Sequence, residues 1–147
     1  MAHVRTQIRN QIGTVLTSGV ALVGGRVYKS RVYPMSQNNL PAITVLTGSE
    51  TSDLMVMGSK TLDRTTTIFV DCYVSVNDTF DDDVDAIAVQ IEAAIAADFT
   101  VGGLAKTAIL KSTEIDFSGE SETPVGIARL TYDVRYVTTI GDVETAR

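Results

Sequence analysis

The side chains that could do chemistry are few. The sequence has one histidine, His3, and one cysteine, Cys72, in 147 residues. His3 stands beside the chain start, a poor place from which to hold a nucleophile–base pair. Cys72 falls in the apolar row of an alternating segment and reads as a small buried hydrophobe rather than a reactive thiol. A lone cysteine also excludes an intramolecular disulfide and any multi-cysteine metal site. Asp81, Asp82, Asp83 and Asp85 carry enough oxygen to suggest a divalent cation. Successive residues of a helix point in different directions, however, so adjacent acids cannot all chelate one ion, and the run reads as a charged helix start. Gly58-Ser59-Lys60-Thr61 lacks the spacing of a phosphate-binding loop, and the two Gly-Gly pairs stand alone without a G-x-G-x-x-G. Asn77-Asp78-Thr79 matches a glycosylation sequon, which has meaning only in a secreted chain. No leader is expected here, because Thr17, Ser18 and Gly19 interrupt what would be its apolar core.

Two polar constellations remain. Arg26, Lys29 and Arg31, with Tyr28 and Tyr33, form the one basic cluster carrying aromatics, the kind of surface nucleic acid needs. Thr67, Asp71, Tyr73, Arg129, Asp133 and Arg135 form the best set that could converge on one face of a sheet. Alternating Asp and Arg on strands read more simply as cross-strand ion pairs, each worth less than about 1 kcal/mol. The sequence therefore predicts no enzyme, and no catalytic, cofactor or metal site.

The elements that hold these residues follow from periodicity. Val4, Ile8, Ile12, Val15 and Leu16 make one stripe of a helix over 3–17, with Arg5, Arg9 and Asn10 on its other side. Arg26 to Tyr33 reads as a strand ended by Pro34, and Leu40 to Leu46 as a second, with Pro41 at its start or on an edge. Residues 48–61 are Gly, Ser, Thr and Asp around Leu54-Met55-Val56-Met57. They read as a long excursion whose apolar tetrad is a short strand or a docking patch. Residues 62–76 alternate strictly, with Ile68, Val70, Cys72, Val74 and Val76 on one face. Fifteen extended residues span about 50 Å. A globule of this length is only about 40 Å across, so the strand must bend, bulge or project as an open edge. A second helix over 81–97, capped by Asp78 or Thr79, buries Val84, Ile87, Ala88, Ile91, Ala94 and Ile95. Residues 107–118 and 124–139 form an antiparallel pair. Ile109, Lys111, Thr113, Ile115 and Phe117 share one face of the first. Ala128, Leu130, Tyr132, Val134 and Tyr136 share one face of the second. The tail from Gly141 is expected to fray or to make a contact. The class is α+β in one domain over 1–147: a mostly antiparallel sheet flanked by two main helices, in the order α-β-β-(excursion)-β-α-β-β.

Composition and charge point the same way. Hydrophobic residues make up 44% and charged residues 20%, as in folded globular domains. No apolar run approaches the roughly 20 residues of a membrane span. The net charge is −6, unevenly laid out: residues 1–49 hold five basic side chains and no acid, and all 18 acids follow. A positive and a negative surface on one molecule favour head-to-tail contact between identical copies. An acidic surface also suits a channel through which DNA slides without sticking.

The order of elements, the basic strand ending Arg31-Val32-Tyr33-Pro34, the segment Leu40-Pro41-Ala42-Ile43-Thr44-Val45, the acid-capped Ile/Ala helix and the final Leu130-Thr131-Tyr132-Asp133-Val134-Arg135-Tyr136 carry a resemblance. The chain resembles the tail terminator proteins of long non-contractile-tailed bacteriophages, the lambda minor tail protein U-like family. That resemblance covers nearly the whole chain. It implies a structural virion protein without cofactor. The expected assembly is a homo-oligomeric ring, a hexamer, at the head-proximal end of the tail, put together in the host cytoplasm. Implied partners are the tail tube protein and a head completion or connector protein, with DNA only as passing cargo through the bore and no membrane. The alternative is a head–tail connector or tail completion protein of the neck; a small non-viral α+β binding domain is a third reading. Candidate subunit or tube contacts, taken from the local arguments, are Leu54, Met55, Val56, Met57, Arg26, Lys29, Arg31, Asp81, Asp82 and Asp83.

Overall fold

A computed structural model of the chain describes residues 2–29, 40–55, 58, 60–76, 78–117 and 125–147. Helix α1 runs Val4–Gly19, followed by a 3₁₀ turn at Ala21–Val23. Strands β1 (Val27–Tyr28), β2 (Ala42–Leu54) and β3 (Thr61–Ser75) lead to helix α2 (Phe80–Ala97), and β4 (Thr107–Phe117) and β5 (Val125–Thr139) close the chain. The strands form one sheet in the order β1-β2-β3-β5-β4. β1 lies parallel to β2 and every other pair is antiparallel. The fold is thus α+β, a mostly antiparallel sheet with two main helices.

The helices form because their apolar residues recur at helical spacing and can be buried together. Val4, Ile8, Ile12 and Leu16 of α1 and Val84, Ile87, Ile91 and Ile95 of α2 are all buried. They meet the even-numbered rows of the sheet, from Ile68 to Val74 on β3 and from Ala128 to Tyr136 on β5, in one apolar core. α1 lies over β2, α2 over β3, and the two helices touch. Gly19 permits that touch: a Cβ there would stand 2.8 Å from the Ala94 methyl. Asp81, Asp82 and Asp83 occupy the first turn of α2, where negative charge is favoured by the unsatisfied N–H groups.

Several expectations are corrected. Residues 48–54 are not an excursion, and Val56, Met57 and Ser59 lie outside the described residues. β2 continues to Leu54 and pairs with β3 as far as Leu54–Leu62, with a bulge between Thr47 and Glu50. The long strand is not an open edge, because β5 pairs with β3 along its full length, Thr61–Thr139 to Ser75–Val125. The predicted Arg26–Tyr33 strand is seen only at Val27–Tyr28, and its continuation lies outside the described residues. The faces of β4 are also not those predicted. The register skips Lys111, so Ile109 sits opposite Asp133 on the face away from the helices, and Ile115 opposite Ala128 on the helix side. One inserted residue flips every side chain beyond it. Of the two expectations for the tail, contact is the one observed. The Val4 amide donates to Val143 O at 2.8 Å, and the Arg147 amide to Val137 O at 2.8 Å. Among the described residues no helix is long and apolar enough to cross a membrane.

Gly126 on β5 holds α2 at its start. A Cβ there would lie 2.2 Å from the Phe80 ring, which is itself buried to 7% exposure. Gly126→Ala must push Phe80 out of its seat and is expected to destabilise the fold by about 1–3 kcal/mol. Urea unfolding read by circular dichroism measures it.

Candidate functional site

Charged side chains in this fold are first used internally. On the sheet face away from the helices, Arg129 straddles Asp71 with Nε–Oδ1 2.8 Å and Nη2–Oδ2 2.9 Å, and its guanidinium stacks 4.3 Å from the Phe69 ring centroid. Asp71 is 1% exposed. Arg135 Nε donates to Asp63 Oδ1 at 2.7 Å, and Thr67 Oγ1 donates to Asp133 Oδ1 at 3.4 Å. All of the set that could have converged as a cleft except Tyr73 is therefore engaged in cross-strand pairs, as the alternation of Asp and Arg predicts.

A second cluster lies under the start of α1, where sequence reasoning placed none. Glu50 of β2 accepts from Arg5 Nη1 at 2.5 Å, from Arg64 Nη1 at 3.2 Å, and from the Tyr136 hydroxyl. Arg64 Nε also donates to Thr138 Oγ1 at 2.9 Å. Arg9 Nη1 donates to Thr47 Oγ1 at 3.1 Å, so Arg5 and Arg9 reach down to β2 rather than occupying a solvated side. His3 caps α1, its Nδ1 accepting from the Arg5 amide at 3.0 Å. Burial and the Arg5 charge hold the His3 imidazole below its usual pKa, which keeps that nitrogen free to accept. The signal for this cluster was present: Arg64 and Thr66 occupy the same alternating row as Ile68 and Val70, so the row points a guanidinium inward and demands an acid.

Three buried groups hold protons that the unfolded chain would release. Burial, with Asp71 adding to it, pushes the Cys72 thiol up to about 12. Burial pushes Tyr132 up to about 12, and burial with the Glu50 bond raises Tyr136 as well. Above pH about 9–10 the unfolded chain ionises first, so each group removes up to about 1.4 kcal/mol of stability per pH unit, and none of this loss appears at neutral pH. Unfolding free energy measured from pH 7 to 11 is expected to be level and then to fall.

The predicted contact residues divide between the two ends of the sheet. Leu54 and Met55, 51% and 48% exposed, form the far end of the β2–β3 hairpin. Val56, Met57 and Arg31 lie outside the described residues. The Ile140 amide donates to Lys60 O at 2.6 Å, which adds Ile140, 50% exposed, to the same end. At the opposite end stand Asp81, Asp82 and Asp83. There a cleft of about 410 Å³ opens between the 3₁₀ turn, the end of β3 and α2, lined by Leu22, Pro41, Val74, Ala86, Ile87 and Asp83. Of the basic candidates, Arg26 Nε donates to Pro41 O at 2.8 Å, and the stem of Lys29 lies against Gly13 of α1. Among the described residues no three His, Cys, Asp or Glu side chains converge as metal ligands do. No protein-family model matches the chain, and no curated protein matches it.

Proposed function

We propose that this chain is a structural virion protein: a ring subunit that caps the tail tube of a long-tailed phage, ends its polymerisation, and offers the surface to which the head attaches. The observation that carries the reading is the distribution of surface chemistry. Asp71, Arg129, Asp63 and Arg135 of the sheet face are engaged within the chain, while large apolar side chains stand exposed: Leu54, Met55 and Ile140 at one end of the sheet, Leu22 by the other, and Val89, Phe99, Ile109 and Ile115 elsewhere. Surface of that kind suits permanent contacts with other subunits more than it suits a pocket for turnover. The order of elements on which the phage resemblance rests, a helix before the first strand pair and a helix between β3 and β4, supports it further.

Function on this reading is assembly. Copies close around a bore, one face fits the end of the tube, and growth stops because the outward face no longer presents a tube-type surface. Electron microscopy of the purified protein is expected to show annular particles with a central hole. Loss of the gene product from its phage is expected to leave tails of abnormal length. Normal tails unjoined to heads would instead assign the chain to the neck connector, and a protein that stays monomeric alone and with tail tube would sink both.

A further inference from the structure

We infer that self-association runs from one end of the sheet to the other, the apolar hairpin end of one copy seating in the cleft beside α2 of the next. The inference rests on the assembly reading above and says which surfaces make the contact.

The two surfaces are unlike and far apart. At the hairpin end Leu54 sits opposite Leu62, the Met55 amide donates to Thr61 O at 3.1 Å, and Ile140 is fixed beside them through Lys60. The cleft is concave, and at about 410 Å³ it falls among cavities of roughly 300–1,000 Å³ that enclose a small ligand, room enough for two or three apolar side chains. Along β3, twelve residues separate Leu62 from Val74, which is about 40 Å at the usual rise. An exposed apolar patch and an apolar-lined cleft at opposite ends of one molecule cannot meet within that molecule. They can do so between copies, and the contact is then heterologous: a ring if the rotation closes, a filament if it does not.

Charge agrees with this pairing. Lys60 is exposed beside the hairpin end and enters no ion pair among the described residues. Asp83 lines the cleft, and Asp82 and Asp85 are exposed on the same helix, likewise without a cationic partner among the described residues. Two acids stand near the hairpin end: Asp142, bridged to Thr139 beyond Ile140, and Asp53, which pairs in register with Asp63, the partner of Arg135, so strand alternation turns it to the face opposite Leu54. A second copy therefore brings a lysine to the one acid that lines the cleft.

The test uses two variants at exposed positions: Leu54→Asp with Met55→Asp at the hairpin end, and Ala86→Trp in the cleft. Sedimentation velocity and light scattering up to millimolar protein give the mass, and circular dichroism confirms that each variant folds. The wild-type chain is expected to form multi-copy species and each variant alone to fall to the monomer. Mixed together, the two variants are expected to form one-to-one dimers that grow no further, because each retains one intact surface. Lys60→Glu is expected to weaken association at least about tenfold, the effect of losing one good contact, and Asp83→Lys on the partner to restore it. These charge variants leave the apolar surfaces untouched and serve if either of the first two fails to fold. A wild-type chain that is monomeric throughout, variants that keep the wild-type mass, or a mixture that stays monomeric overturns the inference. Closed rings indifferent to all these changes would leave the tail reading standing and remove only this contact. Open filaments that obey them would do the reverse.

Discussion

Glu50→Ala is expected to cost about 3–5 kcal/mol of folding free energy, the penalty of leaving a buried charge without its partner. Glu50 is the one acid that the cluster under α1 holds. Its side chain is 10% exposed, and Arg64 beside it is 11% exposed. Without the carboxylate, Arg64 keeps a bond to Thr138, Tyr136 loses its acceptor at 0% exposure, and Arg5 loses its tether to the sheet. Glu50→Gln retains an acceptor for the Tyr136 hydroxyl but removes the charge, so it should fall between the two. Removing Arg64 and Glu50 together with apolar residues of similar size should recover most of the loss, since neither charge is then stranded. Urea unfolding at neutral pH of Glu50→Ala, Glu50→Gln, an Arg64→Met single variant and the double variant measures these effects, and additive losses in the double variant would refute the account.

The second large effect is expected at Arg129. Arg129→Ala leaves Asp71 at 1% exposure without its cation and removes the guanidinium from the Phe69 ring, for a loss of about 3–5 kcal/mol. Arg129→Lys should recover only part of it. A point-charge ammonium cannot reproduce two parallel N–H···O bonds and a flat stack on an aromatic ring together. By contrast Arg135→Ala, whose partner Asp63 is more open to water and whose own side chain is 48% exposed, should cost little. The difference between two Arg–Asp pairs on one sheet face, read in the same denaturation experiment, isolates burial as the cause.

The elements that bury apolar surface were legible because their periods are unmistakable. Val4, Ile8, Ile12 and Leu16 mark α1, and the alternation from Ile68 to Val74 marks β3. What was lost depends on partners distant in sequence. Thr51 to Leu54 have a loop's composition, yet they extend as strand because β3 lies alongside to accept the backbone bonds, and context of this kind overrides intrinsic strand preference. Arg64 reads as a solvated charge until α1 is placed above it. The skipped residue at Lys111 has no glycine to announce it, so the faces of β4 could not be assigned from alternation alone. The apolar run at Leu54 and Met55 stood out by composition, whereas the cleft joins four separate chain segments and leaves no local pattern.

If copies assemble as proposed above, the irregularity in β4 bears on how they coexist beforehand. β4 is the outer strand of the sheet and has one neighbour, β5. An outer strand is where unassembled molecules zip together sideways into insoluble stacks. Here the kink at Lys111 puts Ile109 and Ile115 on opposite sides, so no continuous greasy ribbon is offered, and exposed Lys111, Glu114 and Asp116 break the run with charge. A stranger laid along that border would match its first half and mismatch its second. On the end-to-end contact proposed above, the flank of the molecule is thus blunted while the ends stay available, and a crowded pool of copies remains dispersed until the end-on encounter occurs.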